Sequence, residues 1–306
     1  MNILIAGGAG CLGSNLIEHW VPLGHDICVV DNFVTGHREL VHGIEGVQTH
    51  EFSIANGDKL DSLVQSFKPD VIINSAASYA DPNDWNADVT TNVIGSINLA
   101  KTALKHDVNR LINFQTALCY GRPQTLPIDE THALSPFTSY GISKTAGEQF
   151  LLNSGINNVS LRLANITGPR LSIGPIPTFY KRLKEGKACF CTTSRRDFLD
   201  IDDFLRLMDC LLENNEISGV YNVSSGVSTS IHDIYQLVCE YLEVENKSVE
   251  IKKVSDDDVE EVCLNPKKLF ADTGWQSIVD LPAMIKKQLQ WYDQHGVGAI
   301  HSHLKG

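Results

Sequence analysis

A glycine-rich turn close to the amino terminus limits the folds that this chain can adopt. Met1–Ala6 is a short, mostly apolar run typical of a buried strand, and the string GGAGCLGS over Gly7–Ser14 follows it directly. A helical pattern then continues through Leu16, Ile17 and Trp20. The order strand, glycine turn, helix is typical of the first unit of a dinucleotide-binding α/β fold.

Each glycine of this turn has a distinct physical role. Gly7 allows a tight turn, Gly10 lets the backbone approach a pyrophosphate, and Gly13 lets the helix pack closely on the strand. Cys11 and Leu12 open the helix, whose amino-terminal N–H groups attract negative charge. We therefore expect the backbone of this turn to bind a pyrophosphate.

An acidic residue follows the second apolar strand. Ile27–Val30 ends in Asp31 and Asn32, at about the distance from the turn where a ribose-binding carboxylate is expected. Asp31 can accept hydrogen bonds from adenosine ribose hydroxyls and would repel a 2′-phosphate. The sequence therefore predicts NAD rather than NADP as the cofactor.

A tyrosine and a lysine stand one helical turn apart in the segment Tyr140–Lys144. On a helix this spacing puts both side chains on one face, so the ammonium can stabilise a phenolate. A free tyrosine has a pKa of about 10, and a phenol that acts as a base near neutral pH needs such a positive neighbour. With Thr116 upstream, the pattern predicts a hydride-transfer site.

These motifs together make the chain resemble the extended short-chain dehydrogenase/reductases that act on nucleotide sugars, the NAD-dependent epimerases and dehydratases. The resemblance covers most of the chain. Its landmarks, in family order, are Gly7–Ser14, Asp31–Asn32, Asn74–Ala77, Asn92–Ser96, Thr116–Gly121, Tyr140–Lys144, Arg162–Arg170 and Arg196–Leu199. The string QTALCYG is similar to that of small bacterial enzymes associated with O-antigen and other surface-polysaccharide sugars.

The resemblance implies roles for the candidate catalytic residues. Tyr140 would remove the proton of the sugar 4-hydroxyl, and Thr116 would hydrogen-bond the same oxygen. Lys144 would lower the pKa of Tyr140 and hold the nicotinamide ribose. Further cofactor contacts are implied at Ser53, Ile54, Ala76 and Ala77, and substrate contacts at Ser78, Thr116, Asn165, Ala188, Phe190 and Arg196.

The substrate contacts divide by the part of the ligand they would meet. Asn165 and Arg196 match residues that reach the diphosphate or the sugar, and a guanidinium suits a phosphate. Ala188 and Phe190 match positions that border the nucleotide base.

Several positions depart from the family pattern. Ser53 replaces the usual acid that meets the adenine amine, and Asn74 and Ser75 replace a His-Leu pair. The usual second phosphate arginine is missing, and Val254–Asp258 occupies that region. Its carboxylates would repel a diphosphate if they faced it, unless Lys252 or Lys253 compensates.

The residues after Thr116 bear on the reaction. In the family's 4,6-dehydratases an Asp-Glu pair follows the threonine, but here Ala117 and Leu118 stand there and neither can carry a proton. A 4-epimerase acting through a transient 4-keto sugar, with a UDP-sugar as substrate, is therefore the first interpretation. A 4,6-dehydratase, an NAD(P)H-dependent keto-sugar reductase and a non-catalytic dinucleotide-binding sensor remain open.

The alternation of strand and helix patterns predicts a Rossmann-type, doubly wound parallel α/β sheet with a smaller C-terminal substrate lobe. We expect an NAD-binding domain over residues 1–165, with returns near 196–225, and a mainly substrate-binding lobe over 166–306. Helices are expected over Asn86–His106 and Ser139–Asn153, among others.

Charge and composition exclude other partners. A formal charge of −12 makes nucleic acid and anionic membrane surfaces poor partners. Met1 leads almost directly into the first strand, and no long apolar run follows, so a soluble cytoplasmic protein is expected. The eight cysteines form no CxxC pair and are interpreted as reduced, and no metal site is expected.

Family members commonly form homodimers through the helix after Asn92 and the helix that carries Tyr140. A homodimer is therefore expected here. Apolar residues available for the contact are Ile94, Ile97, Leu99, Ala103 and Leu104.

Overall fold

The computed structural model describes residues 1–245, 249–255 and 258–298. These residues form two compact units. The first comprises Met1–Cys119, Pro136–Arg162 and Leu211–Tyr221, and the second comprises Tyr120–Ser135, Leu163–Cys210 and the described residues from 222 onward. The chain thus leaves the first unit at Tyr120, returns to it over Pro136–Arg162, and returns a second time over Leu211–Tyr221.

The strands are mostly short. They are β1 Asn2–Ala6, β2 Asp26–Asp31, β3 Val47–Glu51, β4 Val71–Asn74, β5 Arg110–Thr116, β6 Asn158–Leu163, β7 Asn165–Thr167, β8 Phe190–Thr192, β9 Arg195–Arg196, β10 Phe198–Asp200, β11 Gly219–Val223, β12 Thr229–Ser230, β13 Glu250–Lys252 and β14 Glu261–Val262.

Both units contain helices. They are α1 Cys11–Trp20, α2 Gly57–Phe67, α3 Trp85–Asp88, α4 Gly95–Lys105, α5 Ser139–Leu152, α6 Pro175–Lys184, α7 Ile201–Glu213, α8 Ile231–Tyr241, α9 Lys267–Thr273 and α10 Leu281–His295. None of the helices in the described part of the chain is long and apolar enough to cross a membrane.

A seven-stranded sheet of order β11-β6-β5-β4-β1-β2-β3 organises the first unit. Strands β1 to β5 pair in parallel, so their carboxyl ends meet at one edge. Strand β1 is covered on both faces, and Ile3, Leu4 and Ile5 are fully buried, as expected for a parallel sheet with helices on both sides. The doubly wound α/β fold predicted from the sequence is confirmed.

The helix predicted over Asn86–His106 is interrupted. The structure has α3, then a π-helical segment Val89–Ile94, then α4. A π-helical turn holds an extra residue and changes which side chains face inward, and such turns are frequent at functional sites. Asn92 lies in this segment and is buried.

Each unit has its own apolar core. In the first, Leu4, Leu60 and Leu99 belong to a cluster that packs α2 and α4 against the sheet. In the second, α6, α8 and α10 enclose a cluster that includes Tyr235 and Leu289.

A buried ion pair fixes α5 to the sheet. Arg162 on β6 donates from Nη2 to Glu148 Oε2 at 2.8 Å and from Nε to Oε1 at 3.2 Å, and Ser160 Oγ donates to Oε1 at 2.7 Å. The two side chains are 4% and 0% exposed. Because both charges are desolvated, each depends on the other for compensation.

We predict that Arg162→Met lowers the free energy of unfolding by about 3–5 kcal/mol, because it leaves the Glu148 carboxylate buried without its guanidinium. The double variant Glu148→Leu/Arg162→Met should recover most of this loss. Urea unfolding of the wild type and the variants tests both statements, and a double variant as unstable as the single one would contradict them.

Candidate active site

The glycine turn after β1 packs backbone against backbone. Gly7 has a φ of +76°, and a Cβ there would lie 2.6 Å from the backbone nitrogen of Ala76. A Cβ at Gly13 would lie 2.6 Å from the carbonyl oxygen of Gly7. Backbone atoms cannot move aside as a flexible side chain could, so both positions require glycine.

The amino terminus of α1 offers N–H groups to a ligand. Gly10 is the N-cap of this ten-residue helix and, having no side chain, makes no capping hydrogen bond. Cys11 and Leu12 form the first turn and are partly buried. A Cβ at Gly10 would meet only the Gly7 carbonyl oxygen, at 3.4 Å. The turn therefore leaves room above Gly10, and its donors suit a pyrophosphate.

Asp31 ends β2 and is bound to this turn. Its Oδ2 accepts from Ala9 N at 3.0 Å and its Oδ1 from Phe33 N at 2.8 Å. Burial raises the pKa of Asp31, and the backbone donors oppose that rise. Each carboxylate oxygen retains acceptor capacity for a ribose hydroxyl. The neighbouring Asn32 is exposed and accepts from Val34 N at 3.2 Å.

The remaining cofactor candidates follow β3 and β4. Ser53 Oγ accepts from Ala55 N at 3.2 Å. Ile54 is buried in the core of the first unit, so its side chain faces the core. Ala76 and Ala77 are partly buried beside the glycine turn. The carboxyl ends of neighbouring strands thus bring these positions to one edge of the sheet, as the topology requires.

Gln115 connects Thr116 to the helix that carries the candidate tyrosine. Gln115 Oε1 accepts from Thr116 N at 2.8 Å, and its Nε2 donates to the Lys144 carbonyl oxygen at 2.9 Å. Thr116 Oγ1 accepts from Leu118 N at 3.2 Å. The end of β5 and the first half of α5 are therefore held together.

Removal from water dominates the titration of both residues on α5. It raises the pKa of Tyr140 well above its ordinary value, and the neighbouring Tyr79 and Asp88 raise it further. It lowers the pKa of Lys144 to about 8, against a smaller opposing effect of Glu148. The sequence predicted that Lys144 would lower the pKa of Tyr140. In the protein by itself, burial raises that pKa instead.

The candidate substrate residues lie in the second unit, except Ser78, which lies in the first with Thr116. Asn165 donates from Nδ2 to the Asp197 carbonyl oxygen at 2.9 Å, which places it beside Arg196. Ala188 is exposed, and its carbonyl oxygen accepts from Arg182 Nε at 2.8 Å. Phe190 is 48% exposed, which excludes a core role for its ring.

Arg196 has an acidic partner that the sequence did not predict. Its Nη2 donates to Asp258 Oδ1 at 2.6 Å, and its Nη1 donates to the Arg195 carbonyl oxygen at 2.8 Å. Of the acidic run noted in the sequence, Asp256 and Asp257 lie outside the described residues. Lys252 lies over the Phe190 ring, with Nζ 4.2 Å from the ring centroid.

Sequence reasoning missed three residues that contact the candidates. Tyr79 has its ring centroid 6.3 Å from that of Tyr140, Asn92 binds the backbone of Ser78, and Gln115 joins Thr116 to Lys144. Asn92 was a family landmark without an assigned role. Tyr79 follows Ser78 directly, but its position depends on how the loop after β4 folds.

Comparison with known proteins identifies the family. The model of the NAD dependent epimerase/dehydratase family matches residues 3–224. The chain belongs to this family. NAD is accordingly its cofactor, and the glycine turn with the uncapped start of α1 and the Asp31 carboxylate fits the pyrophosphate and a ribose.

Solved structures and curated relatives of this epimerase/dehydratase support the assignment. The Bordetella bronchiseptica enzyme WbmG in complex with NAD is 54% identical, with a TM-score of 0.95 and coverage of 100% of this chain and 98% of that one. A UDP-glucose 4-epimerase from Thermotoga maritima with UDP-glucose is 26% identical, with a TM-score of 0.88 and coverage of 96% and 99%. A putative UDP-glucose 4-epimerase of Methanocaldococcus jannaschii is 27% identical over 94% of this chain and 97% of its own length.

Two glycine variants separate folding from cofactor binding. Gly13→Ala should lower stability by about 1–3 kcal/mol, because its Cβ would overlap backbone atoms. Gly10→Ala should keep the melting temperature of the cofactor-free protein but weaken NAD binding on the order of tenfold, because only the ligand needs that space. Thermal unfolding and calorimetric titration with NAD measure both; Gly10→Ala with wild-type affinity would show that NAD does not approach this turn.

Proposed function

We propose that this protein is an NAD-dependent nucleotide-sugar epimerase that inverts C4 of a UDP-sugar through a transient 4-keto sugar. The observation that carries the proposal is that Gln115 links Thr116 to the helix that carries Tyr140. The segment Thr116–Tyr120 contains no carboxylate that could serve a dehydration. The related WbmG structure with NAD and UDP, 53% identical with a TM-score of 0.95, favours a UDP-linked substrate.

Tyr140 and Lys144 would act as a coupled proton-transfer pair. When bound, NAD⁺ supplies the acceptor for the C4 hydride and a positive charge that favours a phenolate. Tyr140 would take the proton of the 4-hydroxyl and return it to the same oxygen after the ring has turned. A pKa of about 8 leaves Lys144 mostly charged at pH 7 but able to exchange its proton readily.

Thr116 would orient the sugar oxygen. Because its Oγ1 accepts from Leu118 N, its hydroxyl hydrogen is directed away from that bond and can be donated to the substrate. Ala117 and Leu118 offer no acid for the loss of a C6 hydroxyl, which favours epimerisation over dehydration.

The second unit would hold the nucleotide. Arg196 and Asn165, which meet at Asp197, suit the diphosphate, and the exposed ring of Phe190 beside Ala188 suits the face of a base. We infer that the ion pair with Asp258 orients the Arg196 guanidinium.

The test uses a panel of UDP-sugars without added cofactor, followed by NMR. We expect a C4 epimer from at least one sugar, and Tyr140→Phe should lower turnover by about 100-fold or more while keeping bound NAD. Tyr241→Phe, which removes a phenol bound to Asp293 in the second unit, is the control and should keep full activity. A 4-keto-6-deoxy product would identify a dehydratase, net consumption of a reduced cofactor would identify a reductase, and unchanged turnover in Tyr140→Phe would reject the mechanism.

We also propose that the protein forms a homodimer through α4 and α5. Ile94, Leu104, Ile142 and Phe150 on or next to these helices are each 42–51% exposed. Exposed apolar residues on adjoining helices are typical of a protein interface. Leu99 and Ala103, which the sequence offered for this contact, are instead fully buried in the core, and Ile97 is partly buried.

Phe150→Glu should convert the dimer into a monomer, because it would bury a charge in the contact. Light scattering coupled to gel filtration measures the mass. Leu23→Glu, at an apolar residue that is 59% exposed elsewhere in the first unit, is the matched control and should stay dimeric. A wild-type mass of one chain would contradict the proposal.

We place the protein in the cytoplasm. The eight cysteines all lie in the described part of the chain, none of them forms a disulfide, and several are buried. This usage favours a reducing compartment.

A further inference from the structure

A buried carboxyl group lies against the start of the helix that carries Tyr140. Asp88 ends α3 and is 1% exposed, and its Oδ2 accepts a hydrogen bond from Ser139 Oγ at 2.6 Å. Ser139 is the first residue of α5 and directly precedes Tyr140 in the chain. The Asp88 carboxyl group therefore holds the residue next to the candidate base.

The second oxygen of this carboxyl group is unsatisfied. Asp88 Oδ1 is buried and has no hydrogen-bond partner among the residues that the structure describes. Burying a carboxylate costs free energy, and the hydrogen bond from Ser139 compensates for only part of that cost. An apolar side chain of similar size would serve stability better at this position. Stability alone therefore does not explain an aspartate here.

A second contact of the same kind lies four residues further along both segments. Asn92, in the π-helical segment, donates from Nδ2 to Ser143 Oγ at 3.0 Å. Ser143 directly precedes Lys144, as Ser139 precedes Tyr140. Helix α5 is thus held at two serines, each next to one of the proposed proton-transfer residues.

The contact at Ser139 determines where the Tyr140 ring points. Successive residues of a helix differ in direction by about 100°, so a fixed Ser139 side chain fixes the direction of its neighbour. The Tyr140 ring meets the Tyr79 ring edge to face, at 6.3 Å between centroids. Burial and Tyr79 raise the pKa of Tyr140, and Asp88 raises it further, which agrees with a carboxyl group close to the phenol.

We propose that Asp88 is a positioning residue for Tyr140, and that it sets the direction of the phenol by holding Ser139. The hydrogen bond between Asp88 and Ser139 carries this role, and the negative charge of the carboxyl group is not required for it. The inference rests on the proposed function, because it takes Tyr140 as the base of the reaction.

The first test measures turnover with the UDP-sugar that the wild type epimerises. Asp88→Leu and Ser139→Ala should each lower kcat about ten- to hundredfold and leave KM and NAD affinity unchanged, because a displaced phenol impairs proton transfer but not binding. Asp88→Asn keeps a hydrogen-bonding partner for the Ser139 hydroxyl and should keep kcat within about threefold of the wild type.

The double variant Asp88→Leu/Ser139→Ala separates positioning from stability. Ser139→Ala alone leaves a buried carboxylate without its donor and should lower the melting temperature of the cofactor-free protein by about 2–5 °C, and the double variant should recover this loss. Its kcat should stay as low as that of either single variant, because both changes remove the same contact. A merely structural role would restore kcat together with the melting temperature.

The second test observes Tyr140 without turnover. Tyrosine labelled with ¹³C at Cζ gives one resonance for each tyrosine, and the Tyr140 resonance is the one that Tyr140→Phe removes. At pH 7 the raised pKa keeps this phenol protonated in the cofactor-free protein, so its chemical shift reports the position of the ring. Ser139→Ala should move this resonance by more than its line width.

Ser62→Ala is the matched control. It removes a helical serine hydroxyl that donates to the Asp58 carbonyl oxygen at 2.9 Å, on α2 of the first unit. The variant should leave kcat, the melting temperature and the Tyr140 resonance unchanged.

Three results would overturn the inference: wild-type kcat in Asp88→Leu, recovery of kcat in the double variant, or an unmoved Tyr140 resonance in Ser139→Ala. A wild type that converts no UDP-sugar, with a resonance that does move in Ser139→Ala, would reject the epimerase proposal and retain the positioning of Tyr140. The two failures are therefore distinguishable.

Discussion

Backbone contact at Gly7 and Gly13 is the constraint on which the first unit depends. It lets α1 start directly against β1 and brings the loop after β4 so close to the turn that a Cβ added at Gly7 would lie 2.6 Å from Ala76 N. Any side chain at these positions would separate the strand edge from the helix that supplies the N–H groups. The parallel strands then bring Asp31 and Thr116 to the same edge without further specification.

Desolvation sets the chemistry of α5. Burial raises the pKa of Tyr140 and lowers that of Lys144. The two pKa values are ordinarily similar, and here that of the phenol lies well above that of the ammonium. In the chain alone this arrangement disfavours a phenolate. In the proposed mechanism, the positive charge of bound NAD⁺ favours the phenolate at Tyr140.

The regular parts of the fold could be predicted from the sequence because their apolar patterns are continuous. The strands predicted at Met1–Ala6 and Ile27–Asp31 form as β1 and β2, each to within one residue at its start, and the helix predicted over Ser139–Asn153 forms as α5, one residue shorter. The π-helical segment at Val89–Ile94 could not be predicted, since it results from packing around Asn92. Helix α6 begins with Pro175, a residue that is common at the first helical position.

The candidate site divides in the same way. Spacing in the sequence was enough to predict the glycine turn and the Tyr140–Lys144 pair. It could not predict the Arg196–Asp258 ion pair or the Tyr79 contact with Tyr140, because these join segments distant in sequence.

The Glu148–Arg162 ion pair limits how far α5 can move relative to the sheet. Glu148 lies one turn beyond Lys144 on α5, so the ion pair fixes to the sheet the same helix that carries the proposed proton-transfer groups. A shift of this helix would break the buried ion pair. We therefore expect a change of substrate preference to come from the loops and short strands of the second unit, where most of the proposed substrate residues lie.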